Sequence, residues 1–174
     1  TLADRAVAPL QARGYAIAVR RYDVTALLSS TPAEPWLERL EEWQRGPYFY
    51  SHLTDALRLA LLWRDGGVYL DSDVLLVRPL RLPDSPAALA RPAPDGLSGE
   101  LRNALGVESR AGEQTSQQVL NGAVLVFDAE SPFLWQAMHE FAAKYMADRW
   151  GWNGPELLTR VSNLCGGASV QPVD

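Results

Sequence analysis

Two aspartates stand one residue apart in the run Val68-Tyr69-Leu70-Asp71-Ser72-Asp73-Val74-Leu75-Leu76-Val77, straight after Gly66-Gly67. Burying an ionised carboxylate is costly unless it is paired, hydrogen-bonded or bound to a cation. Positions i and i+2 of a regular strand point to one side, so Asp71 and Asp73 are expected to face one ion, with Ser72 turned away. Oxygen ligands select a hard divalent cation, Mn²⁺ or Mg²⁺, that keeps positions open for phosphate oxygens. The implied chemistry is departure of a diphosphate whose charge that ion stabilises. The triplet by itself also fits two acids placed by chance at a strand end.

A second pair lies upstream. Asp55 and Arg58 are three apart in Ser51–Arg64, where Leu53, Ala56, Leu57, Ala60 and Leu61 recur at helical spacing, so both are expected on one helix face. From Asp55 to the helix end is nine residues at about 1.5 Å each, roughly 14 Å; from Gly67 to Asp71 is four strand steps of about 3.3 Å, roughly 13 Å. A strand packed back on this helix therefore returns Asp71 and Asp73 to the level of Asp55 and Arg58. That edge is the carboxyl end of a strand, where open α/β sheets bind ligands. Asp55 and Arg58 suit the hydroxyls of a sugar, although they also fit a plain i, i+3 ion pair.

Other polar residues are less specific. Asn121-Gly122 interrupts the apolar run Val119–Phe127, either as a bulge or as a substrate contact. Trp150-Gly151-Trp152-Asn153-Gly154-Pro155 leads into a helix start, where Asn153, Gly154 and the nearby amides suit an anionic ligand and the two tryptophans suit a sugar-stacking wall. The alternative is an ordinary helix N-terminus with core tryptophans. His52 and His139 stand apart from other metal-type ligands and read as packing or surface residues.

The elements that position these groups follow from pattern and breakers. Leu2–Arg13 reads as a helix and Tyr15–Arg20 as a strand after Gly14; Pro32 precedes a helix through Trp36–Trp43. Gly66-Gly67 stops the Ser51 helix, and the strand from Val68 follows. Prolines at 79, 83, 86, 92 and 94 and the polar run Ser109–Gln118 make residues 81–118 loop-rich. A strand over Val119–Phe127 and helices over Pro132–Met146 and from Pro155 complete an α/β pattern over one domain, residues 1–174.

Composition bounds the partners. At 174 residues with 47% apolar content, the chain is one folded domain in size, and its net charge of -5 gives no footprint for nucleic acid. The single cysteine, Cys165, excludes an intrachain disulfide and a thiolate-cluster zinc site. No apolar run reaches the roughly 18 residues needed to span a bilayer. An opening at Thr1 is what a processed or excised piece of a longer protein would show.

Four segments together, Ser51–Arg58, Gly66–Asp73, Leu120–Ala123 and Asn153–Val161, resemble the α-1,4-glycosyltransferase family, relatives of globotriaosylceramide synthase and α-1,4-N-acetylglucosaminyltransferase among the DXD-containing sugar-binding-region glycosyltransferases. The resemblance runs over roughly Thr31–Cys165. It implies a GT-A-like fold, a Rossmann-like mixed sheet flanked by helices and here lacking its first strand. It further implies a UDP-linked donor, a glycan or glycolipid acceptor, a Mn²⁺-type ion, retention of anomeric configuration and a Golgi-lumen setting. Under it Asp71 and Asp73 would hold metal and diphosphate, Asp55 and Arg58 the donor sugar, and Tyr69, Gly67, Asn121, Gly122, Asn153 and Gly154 would line the substrate. Two rivals are a catalytically impaired sugar-nucleotide-binding module and a haloacid-dehalogenase-like phosphatase. The second needs a catalytic lysine, and Lys144 is the only one.

Overall fold

Helix α5, Phe49–Asp65, is the longest element and carries the site. Its leucines and alanines favour helix and bury one side: Phe49, Leu53, Ala56, Leu57, Ala60 and Leu62 are all in the core. The helix ends where only glycine is comfortable. Gly66 has φ 65° and donates its N–H to the Leu62 carbonyl at 2.8 Å, and Gly67 follows at φ 115°.

The computed structural model describes residues 2–80, 82, 102–108, 119–165 and 171–173. Before α5 come α1 (Leu2–Gln11), α2 (Val24–Leu28), α3 (Glu34–Leu37) and α4 (Leu40–Trp43). After it come β1 (Gly67–Leu70), β2 (Ala104–Glu108), β3 (Val119–Phe127), α6 (Pro132–Ala143), α7 (Pro155–Leu164) and β4 (Gln171–Val173). The sheet order is β1-β3-β2-β4, antiparallel except for the parallel β2–β4 pair. Helices α5, α6 and α7 pack with β3 around Trp36, Leu105, Leu125, Phe133, Phe141 and Leu157. The architecture is thus mixed α/β around a small, mostly antiparallel sheet. No helix among the described residues is long and apolar enough to cross a membrane.

Four expectations change. Tyr15–Arg20 is not a strand but an irregular segment, with Tyr15 and Val19 exposed; β-type residues form a strand only against a partner, and this segment pairs with none among the described residues. The helix expected through Trp36–Trp43 is split into α3 and α4 at Glu38-Arg39. Strand β2 stands inside the stretch read as loop-rich, most of whose remainder lies outside the described residues. Finally, β1 stops at Leu70, so the acidic triplet is not in a strand.

Strand β3 carries a deformation that shapes the site. Its register with β2 jumps between Leu105↔Leu125 and Gly106↔Asn121, so the segment around Gly122 bulges out of the ladder. Asn121 Oδ1 accepts the Ala123 N–H at 2.6 Å and holds the bulge from within. The bulge expected at Asn121-Gly122 is present.

Candidate functional site

Arg58 is the centre of the cluster. One helical turn after Asp55, its Nη2 lies 3.1 Å from Asp55 Oδ1, while Nη1 lies 3.4 Å from Asp71 Oδ1 and donates to the Gly122 carbonyl at 2.6 Å. Its guanidinium also stacks over the Tyr69 ring, 4.7 Å from the centroid. Arg58 and Asp55 side chains are about nine-tenths buried, so these are charge-assisted contacts in a poorly solvated setting. Helix α5, the end of β1 and the β3 bulge therefore meet at one guanidinium.

Asp71 is held by backbone and side chain. Its N–H donates to the Ala123 carbonyl at 2.9 Å, just beyond the β1–β3 ladder, and its Oδ1 accepts the Tyr69 hydroxyl. Burial, then the hydrogen bond to Asp71, pushes the Tyr69 phenol up to about 12, so it stays a donor. Asp71-Ser72-Asp73 forms a turn closed by Val74 N–H to the Asp71 carbonyl at 3.1 Å. Side-chain alternation does not extend through a turn, so the strand-based placement of both carboxylates on one side does not hold. Asp71 is half-buried in the cluster; Asp73 is exposed beside it.

Two glycines make the cluster possible. A Cβ at Gly122 would stand 3.0 Å from Arg58 Nη1, and one at Gly154 would stand 2.8 Å from Asp55 Oδ2. Pro155 starts α7 immediately afterwards, so the helix N-terminus brings its flanking glycine against α5. With Asp55 enclosed, burial pushes its carboxyl up to about 6; Arg58 lowers it against that trend, and Asp71 adds to the rise.

The remaining expected residues sit elsewhere or are committed. Gly67 lies at the opposite end of β1, four strand steps or roughly 13 Å from Asp71, where its backbone angle is its contribution. Asn153 is buried, its amide closed on Met146 with Nδ2 to the carbonyl at 2.7 Å and Oδ1 from the N–H at 3.1 Å. Asn121 commits its Oδ1 to the bulge. His52 is a packing residue, hydrogen-bonded to the Tyr145 hydroxyl and the Arg149 carbonyl. Lys144, just past the end of α6, is exposed and pairs with Glu140 at 2.9 Å, not with the Asp71–Asp73 turn that a dehalogenase-like phosphatase would need it beside. The groups missed in the sequence are main-chain: the Gly122 and Ala123 carbonyls, for which Asn-Gly inside an apolar strand was the available signal.

The donor chemistry, though not a formed cage, suits a hard divalent cation. Asp71 and exposed Asp73 offer carboxylate oxygens from one turn, and no group of three or more His, Cys, Asp or Glu forms a metal cage among the described residues. Such a pair suits an ion held by one or two carboxylates plus phosphate oxygens and water.

Two family models match the chain, one over Asp55, Arg58, Tyr69, Asp71 and Asp73 and the other over Gly154. The family model "Glycosyltransferase sugar-binding region containing DXD motif" matches residues 4–91, and "Alpha 1,4-glycosyltransferase conserved region" matches residues 126–174. The chain is 37% identical over 146 residues to lactosylceramide 4-alpha-galactosyltransferase of Rattus norvegicus, which is 83% of this chain and 33% of that protein. It is 35% identical over 140 residues to the Homo sapiens protein of that name, 80% and 32% of the two chains. Identity is 30% over 139 residues to Homo sapiens alpha-1,4-N-acetylglucosaminyltransferase, 80% and 33% of the two. The chain thus spans about a third of the length of these relatives. No solved structure matches it significantly. With the model for the DXD region covering half the chain, and the second model covering the α7 side of the site, this protein belongs to the DXD-containing sugar-binding-region glycosyltransferases.

Proposed function

We propose that this chain carries the donor site of a retaining hexosyltransferase, which transfers a hexose or N-acetylhexosamine from a UDP-sugar to a hydroxyl of a glycan or glycolipid. The observation that carries this is Arg58, held between Asp55 and Asp71 with its Nη1 fixed by the Gly122 carbonyl. A guanidinium so placed is held on three sides, next to the half-buried Asp71 carboxylate. That arrangement suits a polyhydroxylated neutral ring beside a charged diphosphate.

Asp71 and Asp73 would hold Mn²⁺ or Mg²⁺, which when bound supplies positive charge to the departing diphosphate. Asp55 and Arg58 orient the sugar hydroxyls, Tyr69 keeps the Asp71 carboxylate aimed, and Gly122 and Gly154 keep room for both partners. The acceptor hydroxyl would attack the anomeric carbon from the leaving-group face. The name lactosylceramide 4-alpha-galactosyltransferase points to a glycolipid acceptor, and the family resemblance extends the proposal to glycan acceptors and a Golgi-lumen setting.

The alternative is a non-catalytic sugar-nucleotide-binding module, in which the same cluster binds a donor without turnover. Calorimetric titration of UDP-galactose and UDP-N-acetylglucosamine with and without Mn²⁺ tests the donor site, and release of UDP separates enzyme from module. Metal-dependent binding that disappears in Asp71→Asn is expected. Equal binding by wild type and that variant, or none by a folded wild type, would sink the donor-site proposal.

A further inference from the structure

The two tryptophans before α7 have different surroundings. Trp152 is committed: its ring lies between the guanidiniums of Arg149 and Arg160, 4.4 and 4.0 Å from the centroid, and its indole N–H donates to the Lys144 carbonyl at 2.7 Å. Trp150 is 64% exposed, with no aromatic or guanidinium stacked on it among the described residues. Yet the chain around it is pinned on both sides. The Arg149 carbonyl lies 3.2 Å from His52 Nε2, and Asn153 is closed on Met146.

Those pins also locate it. Arg58, Asp55, His52 and Tyr48 succeed one another at steps of three, three and four, so they form one face of α5 and its first turn. The segment 149–154 runs alongside that face: Gly154 abuts Asp55, and the Arg149 carbonyl abuts His52, one turn or about 5 Å further on. Trp150 follows Arg149 directly, at the His52 end. Tyr48, 37% exposed with its ring 6.0 Å from His52, belongs to the same end. Asp71 and Asp73 lie at the other end, beyond Arg58.

We propose that exposed Trp150 is the platform on which a neutral pyranose ring of the acceptor stacks. This rests on the donor site proposed above. With the diphosphate at the Asp71 end and the transferred sugar at Asp55–Arg58, the acceptor falls toward the His52 end, where segment 149–154 covers the buried face and leaves Trp150 exposed. An indole suits it: a broad apolar face meets the C–H face of a pyranose, while the ring hydroxyls remain in water. Because the backbone is already pinned, little conformational freedom is left to lose on binding.

Lactose and N-acetyllactosamine serve as acceptor probes, titrated into the chain with UDP and Mn²⁺ present, and UDP is titrated separately. Trp150→Ala is expected to weaken disaccharide binding at least tenfold with UDP affinity and thermal stability unchanged, and Trp150→Phe to recover most of it. Disaccharide affinity within twofold of wild type in Trp150→Ala overturns the platform, as does absence of disaccharide binding by wild type. Disaccharide binding that needs Trp150 in a protein that fails to bind UDP would support the platform while removing the donor site.

Discussion

Asp55 and Gly154 touch so closely that the smallest side chain at 154 would stand 2.8 Å from the Asp55 carboxylate. The contact joins the helix that presents the acid–base pair to the turn that starts α7, more than ninety residues later. It explains why a glycine precedes Pro155 in space as well as in sequence: the approach of backbone to carboxylate, not a strained φ, excludes a Cβ.

Gly154→Ala should therefore push Asp55 out of place, with a loss of about 1–3 kcal/mol in urea denaturation. Gly151→Ala is the matched control, since its Cβ would meet only Glu156 Oε1, at 3.5 Å, and should change little. Equal midpoints for the two variants would contradict the contact.

The Asp55 carboxyl titrates near 6 because burial outweighs Arg58. Its folded value stands above the unfolded 3.8, so the stability it contributes is complete below about pH 4 and lost as pH rises through about 6. Ionising it in the folded protein therefore costs on the order of 3 kcal/mol. Carboxyl carbon shifts in metal-free protein should show the midpoint, and Arg58→Met should move it higher by removing the opposing charge. A midpoint under 5 in wild type would refute the burial account.

His52 responds with the opposite sign. The Arg149 carbonyl can only accept, so Nε2 carries the proton and Nδ1 accepts from the Tyr145 hydroxyl. Burial holds the imidazole below its usual 6.5, so its stabilising contribution is present above pH 6.5 and is lost as pH falls through the lower folded value. The Tm of wild type should drop from pH 7 to 5 more steeply than that of His52→Gln; parallel profiles would exclude His52 as the cause.

Tyr69→Phe removes the hydroxyl that aims Asp71 and leaves the ring under Arg58. Mn²⁺-dependent UDP binding should weaken by about tenfold, the usual effect of losing a partner behind a metal ligand. Asp73→Ala should weaken it further, yet change folding by less than about 0.5 kcal/mol because Asp73 is exposed on a turn. A destabilised Asp73→Ala protein would point to a structural carboxylate instead.

What the sequence determined by itself is local. The 3.6-residue repeat, Gly66 and the prolines at 132 and 155 mark α5, α6 and α7 to within a few residues, because helical hydrogen bonds close inside one segment. The same locality puts Asp55 and Arg58 on one face, and matched helix and strand lengths bring Asp71 to them. Tertiary structure alone decided the rest. Where β1 ends, and hence which aspartate turns into the cluster, depends on pairing with β3 more than fifty residues away. The β3 bulge that offers Gly122 to Arg58 is a mismatch between two strands, which neither strand encodes alone. Trp150 and Trp152 are equivalent in the sequence, and only the folded positions of Arg149 and Arg160 commit one ring and leave the other exposed to solvent.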